Sequence, residues 1–181
     1  LASSVAGNRI DIIEITEPAT PPAKETPLTD LRFRRFLEGE AASPPPQPPC
    51  APPSERPIVL VLARQHPAEC QGSWVAHGLL DFLTDPTNER AQLLRQRFCF
   101  HIVPMLNVDG VAVGNSRCGL TGLDLNRRWD DPSREFVPEV HALKAHILRR
   151  LSPRGCYACL DLHGHARKRG VFLYGCRYDD E

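Results

Sequence analysis

The sequence lacks a net charge and a long apolar run. Its 22 basic side chains balance 22 acidic ones, so its overall charge does not favour nucleic acid or a membrane surface as a partner. No apolar run reaches the roughly 18 residues of a membrane-spanning helix. The 181 residues are nevertheless enough for one domain with a hydrophobic core.

An even, regularly spaced set of cysteines is also missing. The seven cysteines are scattered, several of them within apolar stretches, which favours reduced thiols in an intracellular protein over a disulfide framework. Cys156 and Cys159 have the spacing of a zinc or redox pair, but no second pair or histidine set stands near them. We therefore expect both to be core cysteines. Because the chain begins with Leu1 rather than Met and ends at Glu181 after a predicted strand, we expect both ends to be cut.

Proline is concentrated in one region. Residues 18–57 contain 12 of the 18 prolines, and proline cannot donate a backbone hydrogen bond to a sheet. We interpret this region as a disordered insert in a surface loop, broken by a short helix at 31–37, because long insertions cost little entropy. A docking motif for a partner is the alternative. The insert separates a first strand within residues 1–17 from the main body of the domain, residues 58–181.

Apolar runs and helical periodicity alternate through the rest of the chain. Residues 107–128 have four glycines and little periodicity, which predicts a loop. The alternation predicts an α/β fold with a mixed, largely parallel sheet and flanking helices. Strands are predicted at 9–16, 58–62, 98–106, 156–162 and 171–174, and helices at 73–84, 89–97 and 138–151.

Two of these strands lead into possible metal ligands. His66 and Glu69 follow strand 58–62, and His163 follows strand 156–162. Two histidines and one glutamate leave a fourth position for water, which is typical of a catalytic zinc site. The alternative for the first pair is a surface histidine with a solvated glutamate at a helix start. His165 competes with His163, since strand periodicity points both to one face.

Five segments, in this order, resemble those of a known family. The chain is similar to the zinc carboxypeptidases, most closely to their cytosolic branch, which is known for removing glutamates from tubulin tails. The usual pattern has Gly where Ala68 stands and Pro where Val108 stands. The segments are His-Pro-Ala-Glu at 66–69, Pro-Met-Leu-Asn-Val-Asp-Gly at 104–110, Gly-Asn-Ser-Arg-Cys at 114–118, Asp-Leu-Asn-Arg-Arg-Trp at 124–129 and Asp-Leu-His-Gly-His at 161–165.

The resemblance implies a zinc carboxypeptidase-like fold, truncated at the C-terminus, with Zn²⁺ as cofactor. It implies that the zinc ligands are His66, Glu69 and His163. Alternation along the strand places Asp161 where it can orient a ligand imidazole.

Substrate contacts are also implied by the resemblance. Asn126 and Arg127 are expected to hold a carboxylate through a guanidinium fork, and Arg117 to stabilise the oxyanion on the scissile carbonyl. The alternative is that these are ordinary surface arginines. A basic stretch at 167–169 either attracts an acidic substrate or forms a solvated turn.

The family's general base is a glutamate on a much later strand, and it has no match here. After His163 the only acids are Asp179, Asp180 and Glu181. We therefore expect a fragment of a cytoplasmic, microtubule- or cilium-associated metallocarboxypeptidase acting on C-terminal or side-chain-linked glutamates, with glutamylated tubulin tails as partners and no nucleic acid or membrane. The alternatives are a zinc amidohydrolase of the aspartoacylase type and a non-catalytic module that binds acidic tails.

Overall fold

A four-stranded mixed sheet organises the chain. In a computed structural model that describes residues 1–18 and 51–175, β4 runs parallel to β5 and β6, and β3 runs antiparallel to β5. This arrangement confirms the predicted α/β class. The strands are β1 (Ala2–Ser3) and β2 (Arg9–Ile10), which form a separate ribbon, and β3 (Ile13–Ile15), β4 (Ile58–Ala63), β5 (Cys99–Val103) and β6 (Cys156–Leu162), which lie in the spatial order β3-β5-β4-β6.

Helices cover both faces of the sheet. Residues of α4 pack against one face of the sheet, whereas residues of α1 and α2 pack against the other face. All six residues of β4 are therefore buried, as expected for a central parallel strand. Among the described residues, no helix has both the length and the apolar character needed to cross a membrane. The helices are α1 (Gln71–Thr84), α2 (Glu89–Arg97), α3 (Val108–Ala112) and α4 (Pro138–His146), with a 3₁₀ turn at Leu125–Arg127 and a π-helical turn at Ile147–Leu151.

The N-terminal ribbon is tied to α3 through a buried carboxylate. Asp109 accepts hydrogen bonds from the Ser4 hydroxyl at 2.5 Å, the Ala6 backbone N–H at 2.8 Å and the Asn8 side-chain amide at 2.9 Å. Burial opposes ionisation of Asp109, but these three donors outweigh it and lower its pKa. The ribbon therefore belongs to the same folded unit as the sheet.

Two predictions about secondary structure are wrong. The predicted strand 171–174 does not form, and Val171 and Leu173 are almost fully exposed, because β propensity gives no strand without a partner to pair with. The predicted loop 107–128 contains α3 and the 3₁₀ turn. Both begin at a side-chain cap, since Asn107 accepts from the Gly110 N–H and Asp124 from the Asn126 N–H.

The exposure of several side chains also differs from expectation. Cys156 and Cys159 are exposed rather than core residues, because they lie on β6, an edge strand of the described sheet. The helix at 138–151 is α only to His146 and then widens into the π-helical turn. Most of the predicted insert at 18–57, including the helix at 31–37, lies outside the described residues.

Candidate metal centre

The turn that leaves β4 is held from two sides. Arg64 has a positive φ of 58°, and its guanidinium donates from Nε and Nη2 to the Pro67 carbonyl at 2.9 and 2.6 Å. From the other side Gly110 approaches so closely that a Cβ there would lie 2.5 Å from the Pro67 ring. The turn therefore positions both His66, which is 4% exposed, and Glu69.

The Glu69 carboxylate lies between two imidazoles. Its Oε1 is 2.9 Å from Nδ1 of His66, and its Oε2 is 2.9 Å from Nδ1 of His163. The Gly164 backbone N–H donates to the same Oε2 at 2.7 Å. One donor atom from each of these three side chains lies within 4.8 Å of the others. The end of β4 and the end of β6 thus bring together one carboxylate and two imidazole nitrogens.

The outer nitrogen of each imidazole contacts a second carboxylate. His66 Nε2 lies 3.1 Å from Oδ1 of Asp124, and His163 Nε2 lies 2.7 Å from Oδ2 of Asp161. A carboxylate accepts a hydrogen bond from Nε2–H, so in a neutral imidazole it favours the tautomer whose Nδ1 lone pair can bind a metal ion. Histidines that bind metals are commonly held in this way. The donor set and its supports therefore fit zinc.

Charge at the centre follows from these contacts. Burial acts to raise the pKa of Glu69, but the hydrogen bonds from Gly164 and His163 and the proximity of His66 lower it overall. The contact with Asp161, supported by Glu69, raises the pKa of His163. Glu69 is consequently an anion at neutral pH, as a cation ligand must be.

Asp124 connects the metal side of the cluster to the arginine side. Besides His66, it accepts from Arg117 Nε at 2.7 Å through its other oxygen, and from the Asn126 backbone N–H at 2.9 Å. Burial raises its pKa, but these donors lower it overall. Asn126 is half-buried and Arg127 is exposed. Asp124 lies in one of the matching segments, but the sequence predicts no role for it. The only local sign of its importance is its position before the 3₁₀ turn.

His165 lies outside the cluster. Its Nδ1 accepts from the backbone N–H groups of Arg167 and Lys168 at 3.1 and 2.9 Å, and its ring packs against Phe172 with centroids 5.3 Å apart. The imidazole therefore caps the exposed basic turn at 167–169. Of the two candidate histidines at this strand end, the structure brings His163 to Glu69.

A second group of metal-type donors lies on the neighbouring strands β3 and β5. Glu14, Cys99 and His101 have donor atoms within 4.8 Å of one another. Arg150 Nη2 lies 3.5 Å from the Glu14 carboxylate, and the Arg154 guanidinium contacts the Cys99 thiol. The positive charge of these two arginines would repel a metal ion. We therefore interpret the group as a structural polar network.

Comparison with known proteins identifies the family. A sequence model for zinc carboxypeptidase matches residues 1–145. Human cytosolic carboxypeptidase 2 is 39% identical over 97% of this chain and 16% of its own length. Human cytosolic carboxypeptidase 4 is 48% identical over 67% and 11%.

Solved structures give the same result. A metallo-carboxypeptidase from Pseudomonas aeruginosa in complex with (2-guanidinoethylmercapto)succinic acid superposes with a TM-score of 0.66 and 27% identity, covering 90% of this chain and 33% of that one. The chain thus spans about a sixth or less of the two human relatives and a third of the bacterial one. By its sequence and its fold, this chain belongs to the zinc carboxypeptidase family, whose metal is Zn²⁺.

Proposed function

We propose that the protein is a zinc metallocarboxypeptidase and that this chain supplies its metal-binding side. In this proposal His66, Glu69 and His163 are the zinc ligands. The supporting observation is that a single carboxylate contacts Nδ1 of both histidines while each Nε2 contacts a separate carboxylate. This arrangement is typical of metal-binding histidines and is not expected of a surface histidine beside a solvated glutamate.

The substrate carboxylate is assigned to Asn126 and Arg127. A guanidinium fork binds a carboxylate through two parallel hydrogen bonds. Arg127 is exposed, and its backbone N–H donates to the Asp124 carbonyl at 3.1 Å. The relative from Pseudomonas aeruginosa is in complex with a succinic acid derivative, which is consistent with carboxylate recognition in this family. Arg117, whose Nε donates to Asp124, is assigned the stabilisation of negative charge on the scissile carbonyl oxygen.

The reaction is peptide hydrolysis at a chain end. When bound, zinc polarises the scissile carbonyl and lowers the pKa of a water to about 7. Arg127 orients the substrate, Asp124 keeps Arg117 in position, and Asp161 keeps His163 in the tautomer that binds metal. By resemblance, the general base is a glutamate that no residue of this chain matches, so the activity is proposed for the whole protein.

We further propose that the substrates are C-terminal or side-chain-linked glutamates, with glutamylated tubulin tails as the candidate. The relatives are named cytosolic carboxypeptidases, which supports a cytoplasmic setting, at microtubules or cilia if tubulin is the substrate. The exposed basic turn at 167–169 suits an acidic tail. In this scheme residues 1–17 and 58–181 belong to the catalytic domain, and residues 18–57 are an insert.

The metal assignment predicts how zinc content responds to substitution. The full-length protein should bind about one zinc per chain, and His66→Ala or Glu69→Ala should remove most of it, because two remaining ligands hold zinc poorly. The measurement is metal content by mass spectrometry after dialysis. His165→Ala is the matched control and should keep the metal. Full zinc retention in the His66→Ala, Glu69→Ala double mutant would refute the assignment.

The substrate assignment predicts that Arg127→Lys is not a conservative change. Lysine keeps the charge but loses the planar fork, so kcat/KM for a polyglutamylated peptide should fall roughly 100-fold, the loss typical of a misplaced substrate. Glutamate release by the full-length protein is followed by mass spectrometry, with a chelator as the control. Arg128→Lys, the neighbouring arginine, should change little. Unchanged kinetics in Arg127→Lys would move the carboxylate site to another arginine.

A further inference from the structure

We propose that Gln65 is a positioning residue that connects the zinc ligand His163 to the segment that binds the substrate. The connection runs from Trp129, at the end of segment 124–129, through the Gln65 side chain to Asp161 and from there to His163. This inference rests on the proposed zinc site, but it concerns Gln65, which lies outside the five family segments and outside the metal-ligand set.

Each step of the connection is a short polar contact. The Trp129 indole N–H donates to Gln65 Oε1 at 3.0 Å. Gln65 Nε2 donates to Oδ2 of Asp161 at 2.5 Å, and His163 Nε2 lies 2.7 Å from the same oxygen. Asp161 therefore has one oxygen shared by the glutamine and the ligand histidine, so the glutamine determines where that oxygen lies.

The chemistry of the partners fixes the direction of the Gln65 amide. An indole N–H only donates, so it requires the amide oxygen, and an ionised carboxylate only accepts, so it requires the amide nitrogen. A flipped amide would face both partners with the wrong group. The orientation of Gln65 is consequently determined by Trp129 and Asp161 together, and neither contact survives a reversal.

Burial makes these contacts costly to lose. Gln65 is 1% exposed, and a buried amide is destabilising unless its polar atoms are paired. Its backbone carbonyl also accepts from the Asn107 side chain at 3.0 Å. Gln65 directly precedes His66, so the residue lies between both metal-binding histidines. A large polar side chain at the end of a buried strand is explained by this placement and not by packing.

The connection implies that zinc affinity depends on groups that do not touch the metal. Gln65→Leu keeps the approximate size of the side chain but removes both hydrogen bonds, leaving Asp161 free to turn away from His163. Loss of such an outer contact typically weakens metal binding 10- to 100-fold, and we expect a loss of about that size. Trp129→Phe removes the indole donor and part of the ring but keeps the Gln65 contact with Asp161, so it should weaken zinc binding about tenfold, at the lower end of that range.

The test measures the zinc dissociation constant of the full-length protein by competition with a chromophoric chelator. The cobalt(II)-substituted absorption spectrum and the Tm of the metal-free protein are recorded beside it. Trp74→Phe is the matched control, because the sequence has two tryptophans and Trp74 is 73% exposed; it should match the parent protein. The expected result is weaker zinc binding and an altered cobalt spectrum in both Gln65→Leu and Trp129→Phe.

The outcomes separate this inference from the proposed function. Parent-like zinc affinity and cobalt spectrum in Gln65→Leu, with only a lower Tm, would show a purely structural glutamine and overturn the inference alone. If Gln65→Leu does not fold, parent-like affinity in Trp129→Phe overturns it equally. If the parent protein binds no zinc, or His66→Ala does not weaken binding, the proposed function and this inference both fail.

Discussion

His66 and His163 present the same nitrogen to the same carboxylate, yet they lie in different surroundings. His66 follows β4, which has a neighbouring strand on each side, and its side chain is 6% exposed. His163 follows β6, which pairs only with β4 among the described strands, and its side chain is 28% exposed. The cluster therefore has one side fixed within the core and one side at an edge.

The two sides are also built by different means. The His66 side depends on a local turn that Arg64 and Gly110 hold against Pro67. The His163 side depends on contacts between residues far apart in sequence, with Glu69 and with Gln65 through Asp161. Ring and backbone atoms crowd the glycine on the His66 side, whereas the atom nearest to the glycine on the His163 side belongs to a flexible side chain. We expect the first side to tolerate changes in packing less well than the second.

The largest expected effect comes from adding a methyl group to each side. In Gly110→Ala the new Cβ would lie 2.6 Å from Asn107 Oδ1 and 2.8 Å from the Cys118 carbonyl as well as against Pro67. These groups cannot move freely, so the free energy of unfolding should fall by about 3 kcal/mol. In Gly164→Ala the nearest atom, 1.8 Å away, is the flexible end of Gln71, so the loss should stay below about 1 kcal/mol.

Urea denaturation measures both variants. Gly78→Ala in α1 is the control, because nothing lies within 4 Å of its Cβ position and alanine should stabilise the helix by about 1 kcal/mol. Equal losses for the two site variants would contradict the idea that the His66 side is the more tightly packed one.

A second buried histidine, His101, lies in β5, away from the candidate metal centre. His101 is 1% exposed, and burial lowers its pKa to about 4, although Glu14 acts in the opposite direction; His146 and the two arginines Arg150 and Arg154 lower it further. The pKa of His101 in the folded protein lies below the ordinary value of 6.5. The neutral imidazole therefore contributes stability that is fully present above about pH 6.5. It is lost as the pH falls towards 4, because the unfolded chain binds the proton first.

The expected loss over this range is on the order of 3 kcal/mol. Denaturation of the full-length protein between about pH 7 and pH 4, compared with His101→Gln, should show a steeper pH dependence in the parent protein. Identical slopes would mean that His101 does not titrate in this range, and that burial alone does not keep an imidazole neutral in this sheet.

The smallest effect isolates the turn itself. The positive φ of Arg64 is conformationally unfavourable, and the hydrogen bonds of its guanidinium to Pro67 and Ser73 offset this cost. Arg64→Ala loses the contacts and keeps the cost, whereas Arg64→Gly loses both. The glycine variant should therefore be more stable than the alanine variant by about 1 kcal/mol, as measured by thermal unfolding. Equal stability would show that the turn relaxes when the guanidinium is removed.

Much of the fold could be predicted because its signals are local. The apolar run before His66 and the helical periodicity after it are sufficient for β4 and α1. The periodicity predicts that α1 begins at residue 73, two residues late, and that Trp74, Val75 and Leu83 share its apolar face. Leu83 is buried as predicted, whereas Trp74 and Val75 are exposed and Ala76 is buried. Periodicity gives the existence of a helical face, but the sheet beneath it decides which neighbours are covered.

Less of the candidate centre could be predicted. The motifs group His66, Glu69 and His163, and the structure places these three side chains together, although their role as zinc ligands remains a prediction. The contacts of Asp124 and Gln65 have no sequence signal, because each joins groups that only the assembled sheet brings together. A hydrogen-bond partner 58 positions away, as for His66 and Asp124, leaves no periodic pattern to detect.

The buried Asp109 contact has a consequence for the order of folding. Ser4 and Asp109 are 105 positions apart, and β3 likewise pairs with the much later β5. At a synthesis rate of roughly 5 to 20 residues per second, α3 and β5 are synthesised about 5 to 20 s after the N-terminal strands that contact them. Within this chain, the N-terminal segment is thus made well before its partners and is among the last parts to reach its native contacts.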